Sequence, residues 1–172
     1  MSRFKKFMLL ACVWLIGFVV GHGGVAMYES QVFKAWEWHE NDLPIIANCY
    51  GEDFNEWYIK RGTDYWENKV GQQIGFILQD PPKDLCKHQM LDGFIIFRKS
   101  RALDPGTIAS TKRRTRMGRI LAAEVRFSPG SFKLDLIVEH ELGHAFGFGH
   151  IEEEGHIMHP SYGKMGPKFW VP

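Results

Sequence analysis

His140-Glu141-Leu142-Gly143-His144-Ala145-Phe146-Gly147-Phe148-Gly149-His150 is the stretch on which the reading of this chain turns. On a helix, His140 and His144 project from one face, one turn apart. That is the separation at which two imidazole nitrogens share one zinc ion at ~2.0–2.1 Å. Glu141, beside the first histidine, reaches the solvent at such an ion without ligating it. Gly147 suits the left-handed conformation that ends a helix, so the chain turns back and His150 approaches the same point from another direction. Three neutral nitrogen ligands leave a fourth position to water, the arrangement of a catalytic zinc and not of a closed structural one. Five fixed positions at about one in twenty each arise by chance in on the order of 10⁻⁴ of chains this size or fewer.

Downstream runs Ile157-Met158-His159-Pro160-Ser161-Tyr162. With His140, Glu141, His144, Gly147 and His150 matching HExxHxxGxxH, residues 140–162 resemble the metzincin clan of zinc metallopeptidases. The step from His150 to Met158, and the Met-x-Pro-x-Tyr run after it, are most similar to the matrixin branch. The resemblance implies a small zincin domain and one catalytic Zn²⁺ held by His140, His144 and His150; the residues themselves give no support for structural calcium. It implies a zinc-dependent endopeptidase acting on protein or peptide substrates, with Glu141 as general base. Met158 would form an apolar floor under the metal, and Tyr162 would wall the pocket for the side chain after the scissile bond. The alternative is a zinc-stabilised binding module without turnover, which has no use for a base at position 141. Over Leu43–Phe127 the likeness is one of element order only.

Upstream of the motif, Ser131 or Asp135 is positioned to cap a helix carrying Leu134, Ile137, Val138, Leu142 and Ala145. Leu121, Ala123, Val125 and Phe127 alternate with Ala122, Glu124 and Arg126, the period of a strand with one wet face. This strand, Arg119–Phe127, is expected at the sheet edge, where an extended substrate would pair near Ala122 and Ala123. Before it, Lys112-Arg113-Arg114-Thr115-Arg116 reads as a solvated loop, with attraction for an anionic polymer or acidic substrates as the other use. Ile74–Leu78 and Phe94–Phe97 are compact apolar runs read as buried strands, as is Leu43–Ala47. Asp53 offers a helix cap with Glu56 three residues on. The segment from there to about Val70 places Phe54, Trp57, Tyr58, Tyr65 and Trp66 at helical spacing, weakened by Gly62. The element order predicts an α+β domain over residues 42–172, a twisted mixed sheet covered by an active-site helix and a second packing helix. Glu152-Glu153-Glu154 reads as a solvated acidic loop, and His156 and His159 as surplus surface histidines.

At the other end, Arg3, Lys5 and Lys6 precede an apolar run from Phe7 to Gly21. Residues 1–27 are read as an N-terminal apolar helix that anchors the chain in a membrane, single-pass, with the catalytic domain outside the cytoplasm. The alternative is a signal peptide cleaved near Ala26, which leaves a secreted or periplasmic protein. Residues 28–41 read as a linker. Export makes Cys49 and Cys86 a candidate disulfide, with two free thiols as the alternative. Composition bounds the rest. At 172 residues and 45% hydrophobic the chain suits one catalytic domain, and three cysteines are too few for a disulfide scaffold. Lys+Arg 21 against Asp+Glu 20 gives a net charge of +1, so no nucleic-acid partner is expected. Oligomeric state is not legible.

Overall fold

The computed structural model describes residues 43–170. Five strands and two helices follow in the order β1 (Ile45–Cys49), α1 (Glu56–Val70), β2 (Phe76–Leu78), β3 (Phe94–Lys99), β4 (Ala109–Arg116), β5 (Arg119–Phe127) and α2 (Ile137–Ala145), with short 3₁₀ turns between and after them. This is the mixed α+β architecture expected from the sequence. The sheet order is β2-β1-β3-β5-β4. Its first four strands are mutually parallel, and β4 alone runs antiparallel, against β5. The N-terminal apolar segment 1–27 and the linker 28–41 lie outside the described residues. Among the described residues no helix is long and apolar enough to cross a membrane.

The central strands form because their apolar runs are buried. Ile46, Ile95, Phe97, Ala123, Val125 and Phe127 join one core with Phe54, Ile59 and Trp66 of the α1 region and Val138 and Leu142 of α2. α1 is capped by Asn55, whose side chain accepts the Trp57 amide at 3.2 Å, and not by Asp53. Gly62 is what lets α1 lie on α2: a Cβ there would stand 2.7 Å from Leu142 Cδ1 and 2.9 Å from Val138 Cγ1. The glycine that weakens the helix locally therefore creates its packing face.

The sheet edge differs from expectation. The basic run 112–116 is not a loop but most of β4, and β4 is the edge. Arg116 pairs with Arg119 across the two-residue turn Met117-Gly118, where both φ angles are positive (51° and 78°). This is the turn geometry that suits the twist of a tight hairpin. Charged side chains protect an edge strand from unwanted pairing, so the run lies where its charge is useful. β5 is sandwiched between β3 and β4, and Ala122 and Ala123 are fully buried. Neither alanine has a free backbone edge to offer a substrate.

Cys49, at the end of β1, is disulfide-bonded to Cys86, with 5.4 Å between Cα atoms. The Cys86 segment is also held to the sheet by Arg98, which donates to the Cys86 carbonyl at 2.5 Å and pairs with buried Glu124 at 3.2 Å.

Candidate active site

The metal-ligating residues sit on α2 and the loop after it. α2 begins at Ile137 behind Leu136, which takes a left-handed φ of 64° and provides no side-chain cap. Ser131 instead belongs to a 3₁₀ turn, and neither it nor Asp135 caps the helix. The helix stops after Ala145. Gly147 adopts φ +111°, its amide donates to His144 O at 3.0 Å, and the Phe148 amide returns to Gly143 O at 3.0 Å. This ending reverses the chain and brings His150 back over the helix face.

One nitrogen from each of His140, His144 and His150 lies within 4.8 Å of the other two. Each helix histidine is oriented through its other nitrogen: His140 Nδ1 donates to the Ile157 carbonyl and His144 Nδ1 to the Phe148 carbonyl, both at 2.8 Å. A donor at Nδ1 fixes the neutral tautomer with the lone pair on Nε2, the usual second contact of a metal-binding histidine. His144 Nε2 and His150 Nε2 stand 3.1 Å apart, close to the ~3.3 Å separating two nitrogens placed tetrahedrally at ~2.05 Å from one ion. Burial pushes His140 down to about 4 against the opposing pull of the Ile157 bond, and burial lowers His144 as well. Rings that resist protonation keep their lone pairs for a cation. The donor set, three imidazoles without sulfur or carboxylate, fits zinc with one open position.

Glu141 is 4% exposed, and Thr111 Oγ1 on β4 donates to its Oε2 at 2.5 Å. Burial raises this carboxyl to about 7, with the Thr111 bond opposing. The residue pair ties the active-site helix to the edge strand, and nothing in a spacing of thirty positions announces it.

Met158 is fully buried directly beneath the helix. A Cβ on Gly143 would collide with Met158 Sδ and stand 2.6 Å from Trp66 Cζ2. Trp66 Nε1 in turn donates to the Glu139 carbonyl at 2.7 Å. His156 and His159, expected on the surface, are buried and locally bonded: His156 Nδ1 accepts the Met158 amide and His159 Nδ1 the Ser161 amide, both at 2.9 Å. They brace the turn around Met158 and lie outside the cluster of three.

The triad and Glu141 open into a cleft of about 750 Å³ whose walls include Thr111 and Arg113 of β4, Leu134, Ile137 and Tyr162. Tyr162 is 38% exposed at its mouth. Of the expected site residues, the structure thus brings together His140, His144, His150, Glu141, Met158 and Tyr162, and excludes Ala122 and Ala123.

No individual curated protein matches the sequence. Among solved structures the chain is similar to high choriolytic enzyme 1, a hatching-enzyme zinc protease of Oryzias latipes (medaka fish). That similarity amounts to 16% identity over 67% of this chain and 49% of that chain, about half its length, with a TM-score of 0.34. The matrixin family model matches residues 26–171. With that match over most of its length and three histidines arranged for a catalytic zinc ion, the chain belongs to the matrixin family of zinc metallopeptidases.

Proposed function

We propose that the domain is an endopeptidase, cutting inside protein or peptide chains laid along the free edge of β4, with Glu141 as general base. One observation carries this reading: a buried carboxylate and three converging imidazoles open into a single cleft walled by a strand that, among the described residues, is paired on one side only. An extended peptide gains main-chain hydrogen bonds from such an edge whatever its sequence, and a cleft running along a strand suits the middle of a chain.

His140, His144 and His150 would hold zinc, which when bound would supply a Lewis acid for a carbonyl and lower the pKa of water toward ~7. Glu141 takes a proton from the attacking water and returns one to the departing amine. Thr111 holds the carboxylate toward the cleft, and the Ile157 and Phe148 carbonyls keep two imidazoles in register. Met158 provides the apolar floor, while Leu134, Ile137 and Tyr162 wall a pocket for a substrate side chain.

The test is Glu141→Gln, assayed on a denatured protein with and without chelator. The variant should keep one zinc per chain and lose cleavage by about 10²-fold or more. Undiminished cutting rejects the assigned base, and release of terminal residues alone rejects the endopeptidase reading. We also propose that the domain works outside the cytoplasm, anchored through residues 1–27. The Cys49–Cys86 disulfide supports an oxidising compartment, and N-terminal sequencing of the mature protein distinguishes an anchor from cleavage near Ala26.

A further inference from the structure

β4 carries its charge on two sides with different surroundings. Lys112, Arg114 and Arg116 alternate with Thr111, Arg113 and Thr115 along the strand. Arg114 pairs with Asp92 outside the cleft. Thr111 and Arg113 both line it, along with the histidines and Glu141. Other arginines near the sheet and helices have carboxylate partners: Arg61 has Glu139, and Arg98 and Arg126 share Glu124. The Arg113 side chain has no hydrogen bond or carboxylate partner among the described residues.

Its position makes that vacancy informative. Thr111 is level with Glu141, to which it donates a hydrogen bond. Arg113 lies two residues further along the strand, roughly 7 Å away at ~3.3 Å per residue, and lines the same cleft as His144. Arg113 is exposed to solvent within the cleft wall, so its guanidinium is open to a ligand entering there. A cation held next to a site built for another cation favours the arrival of an anion between them. The cleft supplies none at this end, since its exposed acid, Asp104, precedes β4 at the other.

We infer that Arg113 is a specificity residue that selects substrates bearing an Asp or Glu side chain two or three residues from the scissile bond, on the side running toward the C-terminal end of β4. The inference rests on the endopeptidase reading for its use and on Arg113 for its chemistry, and the two are separable by experiment. The guanidinium fork binds a carboxylate through two parallel N–H donors, so an amide isostere is a poor substitute.

The experiment scans one Glu through each position of a fluorescent peptide, from four residues before the cut to four after, against a matching Gln scan. Zinc-loaded enzyme should favour Glu over Gln about two- to fivefold in kcat/KM at one position, mainly through KM, and the ratio should shrink with added salt. Arg113→Gln should bring that ratio to about one, Arg113→Lys should retain part of it, and Arg113→Glu should shift the preference to Lys. The same peptides are titrated by anisotropy onto zinc-loaded Glu141→Gln, with and without Arg113→Gln, so that selection is read without turnover. No Glu preference in binding, or one that survives Arg113→Gln, overturns the inference. A preference in binding that Arg113→Gln removes, with no cleavage of any peptide by the unmodified enzyme, supports Arg113 and rejects the endopeptidase reading instead.

Discussion

Replacing Gly143 by Ala sets two opposed effects against each other in the helix that carries the zinc site. On propensity alone the change favours the helix by about 1 kcal/mol, because glycine loses more backbone freedom on ordering than alanine. Packing opposes it. The new methyl would overlap Met158 Sδ and come within 2.6 Å of Trp66 Cζ2, where ordinary contact is 3.4–4 Å. Trp66 cannot easily retreat: its Nε1 donates to Glu139 O at 2.7 Å, and its ring stacks on Phe148 with centroids 5.1 Å apart. Overpacking a rigid core costs about 1–3 kcal/mol, and with two constrained neighbours the upper end applies. The variant should therefore be less stable by about 2 kcal/mol. Urea unfolding of the zinc-free domain measures this, with Gly149→Ala as the control. Gly149 is exposed, with nothing within 4 Å of an added Cβ, so the control should lie within about 0.5 kcal/mol of the parent. Zinc affinity should fall too in Gly143→Ala, since the displaced Met158 adjoins the Ile157 carbonyl that orients His140. A Gly143→Ala variant as stable as its parent refutes the claim that this glycine sets the distance between helix and turn.

Three other outcomes are expected. In the zinc-free domain Glu141, raised to about 7, favours the folded state fully below the ordinary carboxylate range and loses that effect as pH rises through 7. His140, lowered to about 4, acts in the other sense and destabilises the fold as pH falls from 6.5 to 4. The two nearly cancel between pH 4.5 and 6.5, so unfolding titrations should show stability of the parent relative to Glu141→Gln falling by about 3 kcal/mol from pH 4.5 to 7; a flat difference would contradict the burial argument. Reducing Cys49–Cys86, which closes 37 residues, should cost about 4 kcal/mol by loop entropy, read as a denaturation midpoint with and without reductant. Thr111→Val should raise the acidic limb of the pH–rate profile by removing the bond that favours the ionised carboxylate, while Thr111→Ser should restore it; identical limbs in all three proteins would mean Thr111 does not act on Glu141.

The helix-borne part of the site was readable because its determinants are local. His140, His144, Gly147 and His150 act over eleven residues through helix periodicity and one left-handed turn. β3 and β5 were readable as apolar runs, and β5 has the expected limits, Arg119–Phe127. β4 was not, because an edge strand wet on most of its length lacks the apolar alternation that marks a half-buried one, and its charges imitate a loop. The signal present was modest: two threonines and the Met117-Gly118 turn. Missing β4 displaced the substrate edge onto Ala122 and Ala123, which tertiary pairing buries. The Thr111–Glu141 bond, the Ile157 carbonyl on His140 and the burial of His156 are long-range or backbone facts that residue type alone does not encode.

X-ray absorption at the zinc edge of the loaded domain tests the central claim most directly. The account predicts one zinc per chain bound by three imidazole nitrogens at about 2.0–2.1 Å and one light atom from solvent, with imidazole scattering diminished in His150→Ala. Four protein ligands, sulfur in the shell, or a signal indifferent to His150 would contradict it.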